Sequence, residues 1–365
     1  MLNKLRALAE EKKLDVVLIS APDNLEYFTG VPTLGDALGI LVYDRRGDSF
    51  HLYVPLLEYH RYRDSLPGDV EVYAVSKSLK PVGVPTVDLD WKGIVKKYAE
   101  AIVGVDASHH GPLQRSVLQA LGEKAIDVSN DVWRLRMIKG DEEIRSIVEA
   151  VRITMRGIIA VESSVRDDVT ETELVGVFEK TVRDSGVDRL AFDPIIAFKP
   201  NNAYPHAVPT TRRVSRRDLI LVDVGVKVRG RCSDITRMIL KGRPSSEERK
   251  HLEAVVEALE AAIDAVAPGV KASEVFEVAA RVLDKYGLRE RFIHGLGHGI
   301  GVVVHEPPYL RVDSDVVLEP GMVFTIEPGV YFPGEYGIRV EEDVLVTKKA
   351  RRVLSAKLKR VLESF

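Results

Sequence analysis

The stretch LVDVGVKVRGRCSDITRMIL (221–240) decides how this chain is read. Apolar residues surround Asp223 and Asp234, and Gly225 and Gly230 mark a turn between them. Two strands joined by that turn would form a hairpin and bring the two carboxylates side by side. A carboxylate in an apolar strand is costly unless a cation neutralises it. A polar strand pair at a sheet edge also accommodates two acids, so this segment alone leaves both readings open.

Working outward, FIHGLGHGIGVVVHEPP (292–308) places His294, His298 and His305 among glycines, three of the chain's nine histidines. Clustered histidines mark metal or acid–base sites, and the glycines are read as letting the backbone pass close to a bound group. TIEPGVYF (325–332) sets Glu327 at the end of an apolar strand. YGIRVEED (336–343) puts Arg339 and Glu341 on one strand face by alternation. Asp223, Asp234, His298, Glu327 and Glu341 together offer four carboxylates and one imidazole. Four carboxylates balance two divalent cations. Oxygen-rich ligation with one imidazole suits Mn²⁺ or Co²⁺, with Fe²⁺ and Zn²⁺ compatible. Two adjacent metal ions can clamp the tetrahedral intermediate of a hydrolysis.

The rest of the chain reads as two domains, as its 365 residues suggest. Residues 1–128 alternate helix and strand: a helix at 2–13, strands at 15–20, 39–44, 51–55, 70–74 and 101–106, and helices at 56–66 and 112–122. This is the pattern of an α/β N-terminal domain. Residues 129–365 form an α+β C-terminal domain. An amphipathic run at 134–165 leads into helices at 169–186, 245–266 and 272–286. Thr170 with Glu173 and Ser245 with Glu248 have capping-box spacing, and Gly186 is placed to end its helix. Strand-like segments lie at 194–198, 219–228, 234–240, 322–328 and 337–347.

Composition narrows the function class. A formal net charge of −3 gives no electrostatic reason to expect nucleic acid or an anionic membrane as partner. No run approaches the ~20 apolar residues of a membrane span, and the N-terminal residues MLNKLRALAEEKKLD lack a signal-peptide apolar core. The single cysteine, Cys232, excludes an intrachain disulfide and fits a cytoplasmic location.

The motifs DVG…SDITR, HGLGHGIGVVVHE, TIEPG and GIRVEED occur in the order found in the pita-bread metallopeptidases, and the chain resembles that family over nearly its whole length. NLEYFTG (24–30) and WRLRMIKGDEEI (133–144) resemble the N-terminal domain and domain junction of its prolidase (Xaa-Pro dipeptidase) and aminopeptidase P branch. The resemblance implies a creatinase/prolidase-type N-terminal domain before a pita-bread catalytic domain. It also implies that Asp223 chelates one metal ion, that Asp234 and Glu341 bridge two, and that His298 and Glu327 hold the second. Glu327 would take a proton from the attacking water. His206 in YPHAVPT (204–210), His294 and His305 match the substrate-facing histidines of the family. Arg339 would buttress the ligand carboxylates. The branch further implies a homodimer acting on short proline-containing peptides, with a loop such as 36–38, around Asp36, reaching toward the partner.

Departures from the pattern bear on specificity. AFKPNN (197–202) carries Phe198 and Lys199 where small residues are usual, an expected change in the pocket for the residue before proline. Met238 replaces a usual Thr. Tyr309 and Arg311 occupy the region where dipeptidases place a cation for the substrate carboxylate. AFDP (191–194) and the overall length favour cleavage of Xaa-Pro dipeptides; the alternatives are an aminopeptidase P acting on longer peptides and a metal-dependent non-peptidase hydrolase. A purely binding role is disfavoured because all five candidate ligands are present.

Overall fold

The apolar run VVLI forms the strand Val16–Ile19, and all four of its residues are buried, as expected where both sheet faces are covered. The computed structural model describes residues 1–33, 38–107 and 111–364, so Asp36 and Ala37 of the loop expected to reach a partner lie outside the described residues. Contacts divide the chain into two units, Met1–Arg136 and Met137–Phe365.

In the first unit, Val16–Ile19 pairs antiparallel with Ile40–Asp44 and parallel with Val103–Val105. The sheet runs in the order Thr86–Val87, Val70–Val75, Ser49–Pro55, Ile40–Asp44, Val16–Ile19, Val103–Val105, Ala125–Asp127. Val16, Leu18, Val42 and Val103 pack with Ile94, Val95 and Val117 of the helices Trp91–Lys96 and Pro112–Leu121. Residues 129–137, expected in the second domain ahead of and within its 134–165 run, form a helix, Ser129–Met137. Its contacts belong to the first: Arg136 donates to Asn24 Oδ1 at 2.8 Å, and the Leu135 carbonyl accepts from Lys4 at 2.7 Å. The boundary therefore falls at the end of this helix rather than at 128.

The second unit is built on Asp218–Val224, which pairs antiparallel with Ile235–Lys241 on one side and Ile195–Phe198 on the other. Every residue of Asp218–Val224 is buried, and strand alternation sends its side chains into two cores. Ile220, Val222 and Val224 meet Ile147, Val151 and Phe178 of the helices Asp141–Ser164 and Glu171–Asp184. Leu219 and Leu221 meet Val255, Leu259, Ala279 and Leu283 of the helices Ser246–Ala265 and Ala272–Lys285. Each fully buried Leu or Phe contributes roughly 1.5–3 kcal/mol. The helices start where the capping boxes predict: Thr170 and Ser245 accept from the backbone N–H of Glu173 and Glu248. Gly186 follows the C-cap residue Ser185 with φ +77°. Met238 is buried in the second core, so its departure from the pattern is a packing change.

A five-stranded sheet completes the unit, in the order Glu306–Leu310, Gly297–Gly299, Val323–Ile326, Glu342–Val346, Arg351–Val353. Among the described residues no helix is long and apolar enough to cross a membrane.

The expected hairpin exists, but not as a simple turn. Asp223 lies opposite Thr236, and the chain between the two strands makes its own small ladder, Val226–Val228 against Arg231–Cys232. The glycines near the histidines also serve a different purpose from the expected one. A Cβ at Gly297 would lie 2.0 Å from the Thr325 carbonyl oxygen, and one at Gly299 would lie 2.3 Å from that of Pro307. They let backbones come close, and Gly297 lies at the cleft as well.

This packing sets opposite expectations for two glycines. Gly297→Ala forces a carbonyl out of place and should destabilise the protein by about 1–3 kcal/mol. Gly176→Ala, on the exposed face of a helix with nothing within 4 Å of the new Cβ, should stabilise it by about 0.5–1 kcal/mol. Denaturant unfolding of the two variants beside the wild type checks the signs.

Candidate metal centre

Five donors converge from five places in the second unit. Asp223 comes from Asp218–Val224, and Asp234 immediately precedes Ile235–Lys241. His298 comes from Gly297–Gly299, Glu327 follows Val323–Ile326, and Glu341 occupies the gap between Tyr336–Arg339 and Glu342–Val346. The expected alternation of Arg339 and Glu341 along one strand is replaced by this break. The Glu341 backbone N–H donates instead to the Thr236 carbonyl at 3.2 Å. Asp223, Asp234, His298 and Glu341 are only 8%, 5%, 7% and 1% exposed.

Within this cluster, Asp223, Asp234 and Glu341 bring ligand atoms to within 4.8 Å of one another, and so do His298, Glu327 and Glu341. A third such group joins Asp234, His298 and His305. Asp234, His298 and Glu341 each belong to two of these groups, so the donor sets adjoin one another. Asp223 Oδ1 and Asp234 Oδ1 are buried without a hydrogen-bond partner. Buried oxygens left unsatisfied are rare and need a reason, and a cation supplies one.

Electrostatics say the same. Burial, reinforced by the charges of Glu341, Asp223 and Glu327, pushes the Asp234 carboxyl well above the usual range. Burial, with the charges of Glu327 and Asp223, does likewise for Glu341. Glu327 behaves oppositely. Burial acts to raise it, but the His298 contact and the charges of His298, His294 and Arg339 outweigh burial and hold it down at about 2. His298 Nε2 lies 3.3 Å from Glu327 Oε1 and 3.7 Å from Asp234 Oδ2. The protein's own charges thus stabilise Glu327 as a carboxylate and leave Asp234 and Glu341 short of positive charge. The residues fit divalent metal ions.

Residues missed in the sequence hold the donors in place. Thr236 donates to Glu341 Oε2 at 2.7 Å, and Asp343 Oδ2 accepts the Asp234 backbone N–H at 3.2 Å. Burial pushes the Asp343 carboxyl up to about 8. Arg339 donates to Asp223 Oδ2 and, at 2.6 Å, to the Tyr331 hydroxyl. Thr236 and Asp343 each lie two residues from a predicted ligand, a spacing that could have flagged them. Tyr331, in the quoted TIEPGVYF, carried no such signal.

The cluster lines a cleft of about 990 Å³, together with Phe192, Ile195, His206, His294, His305 and Arg311. His206 and His305 are exposed to it. The His305 ring lies 4.2 Å from that of His298, and burial together with the His298 charge lowers its basicity. His294 is partly buried, with Nε2 3.1 Å from the Tyr331 hydroxyl. Phe198 and Lys199 do not line this cleft. Phe198 is packed in the core, and Lys199 donates to Glu248 at 2.7 Å. Their size therefore acts on packing, and Phe192 and Ile195 shape the wall instead. Tyr309 and Arg311 both line the cleft, but Arg311 is largely exposed and paired with Asp313 at 2.8 Å.

Comparison with known proteins places this geometry. Residues 145–348 match metallopeptidase family M24, and residues 1–138 match the creatinase/prolidase N-terminal domain. The chain is 32% identical to a Xaa-Pro dipeptidase of Pyrococcus furiosus, over 97% of each chain. The prolidase structure from Pyrococcus horikoshii OT3 superposes with a TM-score of 0.85 at 30% identity, covering 98% of both chains. An X-Pro aminopeptidase structure from Thermotoga maritima superposes with a TM-score of 0.87 at 29% identity, covering 100% of this chain and 99% of that one. With the two-domain match, the full-length likeness and a buried carboxylate cluster suited to divalent ions, the chain belongs to metallopeptidase family M24, with a creatinase/prolidase N-terminal domain preceding its pita-bread catalytic domain.

Proposed function

We propose that this protein is a dinuclear-metal-dependent Xaa-Pro dipeptidase, cleaving the bond between an N-terminal residue and proline. The observation that carries the reading is the convergence of Asp223, Asp234, His298, Glu327 and Glu341 at one cleft, in a chain related over its full length to a Xaa-Pro dipeptidase. Asp223, Asp234 and Glu341 would hold one ion, and His298, Glu327, Glu341 and Asp234 the other. The oxygen-rich set favours Mn²⁺ or Co²⁺ over Fe²⁺ or Zn²⁺. When bound, the ions supply Lewis-acid polarisation and an activated water.

The chain's own residues do the remainder. Glu327, kept ionised by its neighbours, accepts the proton of the attacking water. His305 and His206 face the cleft; their N–H groups donate to the scissile carbonyl oxygen as it gains charge, and the proton that Glu327 took passes to the proline nitrogen, relayed by one of these histidines. Arg339, through Asp223 and Thr236, keeps the carboxylates aimed. The acyclic N-terminal residue and the proline ring suit the apolar wall formed by Phe192 and Ile195. The protein acts in the cytoplasm as a homodimer on short proline-containing peptides, a reading supported by the single cysteine and by the branch it resembles.

One observation favours a second reading, aminopeptidase P. The Arg311 guanidinium, a candidate for a dipeptide's carboxylate, lines the cleft but is largely exposed and shared with Asp313, which leaves room for a longer peptide.

Two experiments test these assignments. With Mn²⁺ or Co²⁺ added, the protein should hydrolyse Ala-Pro faster than Ala-Pro-Ala, and a chelator should abolish both activities. Cleavage of the tripeptide alone selects the aminopeptidase. His305→Ala should lower turnover by about 10²–10⁴-fold while bound metal, measured by elemental analysis, stays unchanged. Loss of metal in that variant would make His305 a ligand.

A further inference from the structure

We infer that His294 does not face the substrate as a donor or proton carrier, but is locked by Tyr331 as a neutral ring with its proton on Nδ1. In that state it positions Arg339 through Tyr331. This rests on the peptidase reading only for its consequence, namely that the histidine contacts to substrate fall to His206 and His305.

The direction of each hydrogen bond follows from what its end groups can do. His294 Nδ1 lies 2.7 Å from the Gly295 carbonyl oxygen. A carbonyl only accepts, so Nδ1 carries the proton. At the other end, Arg339 Nη1 lies 2.6 Å from the Tyr331 oxygen. A guanidinium only donates, so that oxygen accepts. The Tyr331 O–H is then free to donate to His294 Nε2, 3.1 Å away, whose lone pair is available because the proton sits on Nδ1. The chain of donors runs Arg339 to Tyr331 to His294 to Gly295 without conflict, and it occupies both ring nitrogens.

The surroundings are shaped for this chain. Tyr331 is buried on the strand Gly329–Phe332, which pairs with Tyr336–Arg339. A Cβ at Gly329 would lie 2.7 Å from the Tyr331 hydroxyl and 3.0 Å from His294 Nε2. A Cβ at Gly337 would lie 2.7 Å from the Tyr331 ring. A side chain at Gly329 would crowd the phenol and the imidazole at once, and Gly337 is closed further by the Asn202 carbonyl oxygen at 2.2 Å. Phe292 closes the other side, its ring edge-on to His294 at 5.3 Å. Arg339 carries the restraint onward to Asp223 Oδ2 and to Thr236 Oγ1, and Thr236 in turn donates to Glu341. By contrast, among the described residues His206 and His305 make no hydrogen bond to the protein, so their ring nitrogens are available to a substrate. Tyr331 and His294 are therefore positioning residues.

The test reads the tautomer directly. Protein labelled with ¹⁵N-histidine and loaded with Zn²⁺ is examined by long-range ¹H–¹⁵N correlation, with His294→Gln identifying the His294 signals by their loss. The expected pattern is the neutral ring protonated at Nδ1. Tyr331→Phe should move the Nε2 signal toward that of an unbonded nitrogen and lower turnover about 10–100-fold, the usual effect of removing a group that orients metal ligands. A ring protonated at Nε2, or a Tyr331→Phe spectrum identical to wild type, overturns the inference. If Tyr331→Phe does not fold, the wild-type pattern alone decides. The spectrum needs no substrate, so failure to cleave both Ala-Pro and Ala-Pro-Ala would sink the peptidase reading and leave the tautomer assignment standing.

Discussion

Mutual repulsion among buried carboxylates is the constraint on which this structure depends. Asp223, Asp234 and Glu341 offer oxygens within 4.8 Å of one another in a site almost closed to water. A pair of like charges at such a distance costs roughly 3–4 kcal/mol even at an effective dielectric constant of about 20. The guanidinium that reaches a ligand carboxylate, Arg339, is committed to Asp223 and Tyr331. It cannot neutralise all four acids. What remains is a demand for positive charge that divalent cations meet, and the same demand explains why burial drives Asp234 and Glu341 toward their protonated forms when no cation is present.

Such a cluster needs a rigid frame. The strand Asp218–Val224 supplies it by feeding alternate side chains into two helix-backed cores. Asp223 sits near the end of that strand, opposite Thr236, where the backbone is fixed by pairing on both sides. The second sheet delivers His298, Glu327 and Glu341 from strand ends and a strand break, and a buried ion pair anchors the neighbouring turn: Lys139 Nζ lies 3.0 Å from Glu306 Oε1, with both side chains essentially unexposed. Precision comes from the sheets. His206 and His305 stand exposed on the cleft wall.

Much of this was legible in the sequence because the signals were local. Capping boxes at Thr170 and Ser245 and apolar periodicity fixed the helices, and the five ligand candidates stood out as polar groups in apolar surroundings. Readings that needed tertiary distances went astray. Gly297 does line the cleft, but the carbonyls of Thr325 and Pro307 against Gly297 and Gly299, far away or across a turn in the chain, could not be foreseen. Phe198 looked like a pocket residue, yet strand alternation turns it into the core. Tyr331 could not be found at all, since its importance lies in touching His294 and Arg339 at once. The domain boundary moved because the helix Ser129–Met137 buries its contacts backward along the chain.

The central claim is that the carboxylate cluster exists to hold two cations. Equilibrium dialysis of metal-free protein against Mn²⁺, with bound metal counted per chain, tests it most directly. The account predicts two ions for the wild type and no more than one for Asp234→Asn, which removes a carboxylate shared between the two donor groups. A wild-type protein that binds none, or an Asp234→Asn variant that still binds two with undiminished affinity, would contradict it.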